Sequence, residues 1–370
     1  MFDVEIERFW NDDKLAHKDN CFNTKAPQIA LGIRMSEECV FAELEEDGNP
    51  WGYTPIDRRI DLNKRYNDKS EKMVGQRLLP EVFAEKDQVF PEIRRIGEVF
   101  GGRYEHNEIT EWLEGSCSTM KELEVVLDRV EKMDFREFLL PHNWEIEKKR
   151  IYEKYGTKPS LMRHVRGPVT LATSIYGIEN LIFLILDEPD LAKRFSKVIS
   201  DVIFKIASIM DEEAGFSPEK VPGGFSFADD NCCLLNPEMY ELFGFPVLKR
   251  LFDQWCPNPE DIRYQHSDSN MAHLLPILQR LNFTGCNFGP TVLVNEIRKY
   301  MPKTRIDGCI APFTFMRNDE KTIINEVKRD CEMAKEFRGL NLSTAGSINN
   351  GSLLTSMRAV MYTIQNYGRY

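Results

Sequence analysis

The chain predicts an α/β protein folded as a (β/α)8 (TIM) barrel, and three observations carry that expectation. From residue 158 onward, short β-favouring runs alternate with helical stretches of ten or more residues. That alternation is the mark of a parallel sheet. Each strand is brief and ends in small or polar residues before the next helix. No glycine-rich dinucleotide fingerprint follows the first strand, so a closed barrel fits better than an open doubly wound sheet.

The elements follow in order. Residues 1–24 are polar and read as a surface-lying N-terminal extension (1–25) of a single domain spanning 1–370. APQIALGIRM (26–35) is a strand-like run, and 57–79 is charged and helical. Residues 96–116 place aromatic and β-branched residues around a Gly-Gly turn, which suggests a strand or hairpin. In 119–133, Leu123, Val126, Leu127 and Val130 recur at helical spacing. The stretch 158–177 holds a strand ending at Gly167-Pro168, with two helical runs after it. Strands are then expected at 223–232, 262–268, 284–290, 304–312 and 340–348. Helices fill the intervals. One is broken at Pro246, one covers 272–281, and a long one (318–339) is ended by Gly339.

Composition narrows the function classes. The 370 residues are 42% apolar, enough for a large core. Fifty-nine acidic against 48 basic residues give a net charge of −11, the wrong sign for general nucleic-acid binding. No apolar run approaches the roughly 18 residues that cross a bilayer. The acidic start MFDVEIERFWNDDK has neither the basic head nor the apolar centre of a signal peptide. A cytoplasmic protein without a membrane partner is expected. The nine cysteines form no CxxC pair and read as reduced thiols.

Catalytic groups of a barrel sit at the carboxyl ends of its strands. The predicted ends carry Arg34, Arg166, Asp229, Asp230, His266, Asp268, Asn287, Asp307 and the run Thr344 to Ser347. The set is mainly acidic with one imidazole. His266, Asp229, Asp230 and Asp268 are the candidate catalytic groups. Asp230, His266 and Asp268 are the candidate ligands of a divalent metal, since histidine with carboxylates suits zinc. The same residues could make an acid/base pair. Arg34, Phe227, Asn287, Phe313 and Ser347 are candidate substrate contacts. Plainer roles compete: either aspartate could cap a helix, His266 could be a satisfied strand-end histidine, and the phenylalanines could be core. No Walker A, HExxH, GxSxG or kinase signature is present.

Four stretches carry a family resemblance: RGPVTLATSIYG, FADDNCCLLNPEMYELFGFPVLKRLFD, HSDSNMAHLLPIL and STAGSINNGSLLTSMRAVMYTIQNYGRY. They resemble the uroporphyrinogen decarboxylase superfamily, closely over residues 155–370 and loosely over 26–150. The resemblance implies one (β/α)8 barrel with N-terminal additions. It also implies one of two chemistries. One is cofactor-free decarboxylation of porphyrinogen acetate groups. The other is methyl transfer to or from a corrinoid (cobalamin) on a separate protein, usually with zinc. The decarboxylases carry an RQAGRY-like motif, where this chain reads LGIRMSEECV with Arg34 alone. They also carry a GHG-like segment, where this chain reads STAGSI.

Relative to the better-known corrinoid methyltransferases, His266 matches their zinc histidine. Asp268 stands where their first cysteine would be, and Ala345 stands near the second. A site of histidine and carboxylates suits an oxygen-containing substrate. Relatives that demethylate methoxylated aromatics use such a set. Asp230 precedes His266 by a similar separation to their outer glutamate, while Phe245 occupies the spacing of their middle one.

The leading expectation is a methyltransferase that moves a methyl group from a small methoxy or N-methyl compound to a corrinoid-binding protein. A decarboxylase is second, and a non-catalytic binding protein third. A homodimer is admitted as an assembly.

Overall fold

The computed structural model of the protein describes residues 2–106, 111–217 and 219–370. Nine strands fall among them: β1 (Ala30–Leu31), β2 (Arg103–His106), β3 (Glu111–Glu114), β4 (His164–Arg166), β5 (Phe225–Ala228), β6 (Arg263–Ser267), β7 (Gly285–Phe288), β8 (Arg305–Ile310) and β9 (Leu340–Thr344). Seven form one sheet in the order β1-β9-β8-β7-β6-β5-β4. The registered pairs β1/β9, β9/β8, β8/β7 and β5/β4 are parallel. Neighbours in sequence are neighbours in the sheet, with helices between them, and β1 comes round to β9. That is the strand order of a (β/α)8 barrel, as the alternation predicts. β2 and β3 make the separate antiparallel pair foreseen for 96–116. The residues joining them, 107–110, lie outside the described residues.

The chain divides into two compact units. One comprises Met1–Phe83, His266–Leu275 and Asn282–Tyr370, the other Ala84–Gln265 and Pro276–Leu281. The first holds β1, β7, β8, β9 and the last two residues of β6. β7 is buried throughout and β8 from Ile306 to Ile310, as parallel strands covered on both faces are. Arg298 is 3% exposed and donates to the carbonyls of Met301, Pro302, Thr304, Arg338 and Gly339. One cation thereby satisfies the loop carbonyls that lead into β8 and β9.

The second unit holds β2 to β5 and the start of β6. Its core is aromatic. Phe227 packs 5.2 Å from Phe225 and edge-on to Phe252 at 5.5 Å, and Trp255 lies 5.4 Å from Phe225.

Four expectations need correction. The N-terminal residues are more than a polar surface: helix Ile6–Ala16 buries Phe9, Asp13 and Ala16. The first strand is only two residues long. The helix expected over 318–339 runs Glu320–Ala334, and Gly339 follows a turn at φ +69°. The break near Pro246 falls at Gly244, and Pro246 sits in the first turn of Phe245–Trp255, where a missing N–H costs nothing. Among the described residues, no single helix is long and apolar enough to cross a membrane.

Candidate functional site

β6 is what presents the histidine. Side chains alternate along a strand, so a spacing of two puts His266 and Asp268 toward one side. Gln265 and Ser267, before and between them, are fully buried. His266 is half-buried, and Asp268, one residue past the strand, is exposed. A ring nitrogen of His266 and a carboxylate oxygen of Asp268 lie within 4.8 Å of each other. Gly346, after β9, passes close by. A Cβ there would meet Asp268 Oδ2 at 3.3 Å, and its φ of +108° suits glycine.

Asn287, on β7, decides the state of the imidazole. Its Nδ2 donates to the carbonyls of Asp307 and Thr344. An amide nitrogen only donates, so these two bonds fix which end of the side chain is oxygen. That oxygen accepts the Gly346 N–H at 3.0 Å and lies 2.7 Å from His266 Nδ1. An acceptor there requires the proton on Nδ1. In a neutral ring, Nε2 is then the bare nitrogen. A histidine oriented through one ring nitrogen is the usual arrangement of a metal-ligating imidazole.

The two aspartates after β5 belong to the second unit and differ sharply. Asp230 opens the turn Asp230–Leu234 and is half-buried. Asp229 is fully buried. Its Oδ1 accepts the Thr170 N–H at 2.7 Å, in the first turn of helix Pro168–Tyr176, and its Oδ2 has no hydrogen-bond partner among the described residues. Burial pushes its carboxyl up to about 7, against the pull of the Thr170 bonds. Gly167 lies against it so closely that a Cβ would sit 2.2 Å from Asp229 Cβ. Asp229 therefore caps a helix from inside the core. The helix is the one after β4, not the one that follows Asp229 in sequence.

The candidate substrate contacts scatter. Phe227 is 0% exposed and packs on Phe225 and Phe252, so it is core and not rim. Asn287 is 7% exposed, with both ends of its amide engaged by protein. Phe313, on helix Pro312–Met316 after β8, is 63% exposed. Ser347 is exposed in the loop after β9. Arg34 is exposed and lines a cavity beside helix Ile6–Ala16. What the sequence reading missed is that Asn287 serves His266. The signal available was its place at the end of the strand next to β6.

The family model for uroporphyrinogen decarboxylase (URO-D) matches residues 124–367. The chain belongs to the uroporphyrinogen decarboxylase family. The URO-D match takes in β4 to β9, including His266, Asp268 and Asn287, and starts earlier than residue 155, where the resemblance in sequence is close. No curated protein matches the chain. Among solved structures, a methyltransferase from Methanosarcina mazei is similar, with a TM-score of 0.56 and 14% identity over 92% of this chain and 94% of that one. At that identity the likeness is one of fold, the α/β (β/α)8 barrel.

Proposed function

We propose that this URO-D family member is a methyltransferase that passes a methyl group from a small, uncharged or singly charged methoxy or N-methyl compound to a corrinoid carried by a partner protein. The observation that carries the reading is the His266–Asn287 pair beside Asp268. It brings an imidazole nitrogen and a carboxylate together, a donor set of nitrogen and oxygen that suits zinc or a similar divalent ion. Asp230 is added to the ligand set on its sequence position at the end of β5. When bound, such a cation draws charge from the leaving oxygen or nitrogen and weakens its bond to methyl. The chain's own part is to hold that cation in place. Asn287 keeps the His266 ring oriented, and Asp268 supplies negative charge against the cation. The fold shared with a protein named a methyltransferase supports the reaction class.

Porphyrinogen decarboxylation fits less well. It needs basic groups gripping several carboxylates, whereas His266 stands beside an acidic group that would repel them. The decisive experiment offers purified protein a panel of methoxy and N-methyl donors with cob(I)alamin and follows the change from reduced to methylated corrinoid. Methyl transfer that His266→Ala abolishes is the expected result. An unchanged spectrum across the panel, with uroporphyrinogen decarboxylated at roughly 1 per second or faster, would overturn the proposal.

A further inference from the structure

A cavity of about 660 Å3 opens within the first unit, between helix Ile6–Ala16, the chain just past β1 and the turn after helix Ile56–Val74. Its size falls in the range of small-molecule sites. Its charge is unlike that of the chain as a whole. Lys14, His17, Arg34 and Arg77 line it, against one acidic residue, Asp13, although acidic residues outnumber basic ones 59 to 48 overall.

The single carboxylate is spent. Asp13 is 5% exposed; one oxygen accepts the Leu31 N–H at 2.7 Å and the other lies 3.3 Å from His17 Nε2. That hydrogen bond, with a lesser one to Cys21, pushes His17 up to about 10, so the ring is charged at neutral pH. Arg77 is spent too, held by Asp68 at 2.8 Å, Glu71 at 3.2 Å and Glu81 at 2.6 Å. Lys14 and Arg34 are different. Both are exposed, and neither has a hydrogen-bond or ion-pair partner among the described residues. Two uncompensated cations therefore face one concave site, backed by the neutral Asp13–His17 ion pair.

We propose that this cavity binds a phosphate group, free or carried on a small molecule, through Arg34 and Lys14. A phosphate dianion matches the uncompensated charge. Its oxygens suit the planar fork of a guanidinium together with the point charge of an ammonium. The site does not depend on the methyl-transfer reading, and none of the proposed metal ligands lines it.

Isothermal titration calorimetry at fixed ionic strength tests this, using the full chain with inorganic phosphate, a phosphate monoester such as glucose 6-phosphate, and citrate. Saturable binding of phosphate or the monoester is expected, weakened at least tenfold in the double variant Arg34→Met, Lys14→Met and unchanged in His266→Ala. Arg34→Lys, which keeps the charge and loses the fork, is expected to fall between wild type and the double variant. Tighter binding of the monoester than of inorganic phosphate would identify a phosphorylated metabolite as the source, and equal or weaker binding the free ion. Both side chains are exposed, so the variants should melt as wild type does, and their circular dichroism checks this. No saturable phosphate binding, binding of citrate alone, or phosphate affinity unchanged in a folded double variant would each overturn the proposal.

Discussion

His266 Nδ1 and Asn287 Oδ1 are 2.7 Å apart, and that oxygen also accepts the Gly346 N–H. The carbonyls of Asp307 and Thr344 hold the other end of the Asn287 amide. Three segments, β7, β8 and the end of β9, therefore agree on one orientation of one side chain, and through it on one tautomer of the histidine.

Replacing Asn287 tests that chain of bonds. Asn287→Ala should weaken divalent-ion binding about 10- to 100-fold, the usual cost of losing a partner behind a ligating histidine. Asn287→Asp keeps an acceptor for His266 Nδ1 but cannot donate to the two carbonyls. It should retain more of the metal affinity and lose stability, by about 1–3 kcal/mol for each carbonyl left unpaired. Calorimetric metal titration and urea unfolding separate the two effects. Equal metal affinity in wild type and Asn287→Ala would remove Asn287 from the site.

The ligand set is open to elemental analysis. His266→Ala should lose a divalent ion that the wild type retains through purification, and Asp268→Asn should weaken it. Asp230→Asn decides whether the aspartate proposed from sequence alone belongs with them. Full metal content in His266→Ala, or none in the wild type, would sink the metal assignment and leave the fold untouched.

Gly167 should tolerate nothing larger. Its missing Cβ would lie 2.2 Å from Asp229 Cβ and 2.3 Å from Asp229 Cγ. Both are rigid parts of a fully buried side chain. Gly167→Ala must displace Asp229 from the Thr170 N–H, and overpacking of this kind costs about 1–3 kcal/mol. A shift of the urea midpoint is the measurement, and an unchanged midpoint would contradict the packing around Asp229.

His17 gives a pH dependence with a definite sign. Its folded pKa is raised from 6.5 to about 10, first by the Asp13 hydrogen bond. The folded chain thus holds the proton more tightly than the unfolded one. The stabilisation is complete below pH 6.5, declines as pH rises, and is gone above about 10. The His17 side chain is 38% exposed, so solvent screening keeps the effect modest. The melting-temperature difference between wild type and His17→Gln should therefore be largest near pH 6 and shrink toward pH 10. A difference that grows with pH would reverse the assignment.

Periodicity alone determined much of this protein. Alternation of short β-favouring runs with longer helical stretches is a local property of the sequence. It placed β4 to β9 within a few residues, and it put His266 and Asp268 on one side because they are two residues apart. The family resemblance rests on the same continuous stretches. Contacts between residues distant in sequence carry no such local signature, and these decided the rest. Nothing near Asp229 announces that Thr170, on the helix before, will bury it as a cap. Nothing in the neighbourhood of Arg298 shows that its guanidinium will gather carbonyls from the loops before β8 and β9. Asn287 serves His266 only because parallel strands are laid side by side with their ends level. Lys14, His17 and Arg34 line one cavity only because helix Ile6–Ala16 packs against β1. Side-chain environment is a product of strand and helix placement, so the candidates could be named from the sequence, while burial and hydrogen bonding in the tertiary structure sorted which of them cap a helix, which are core and which stand exposed.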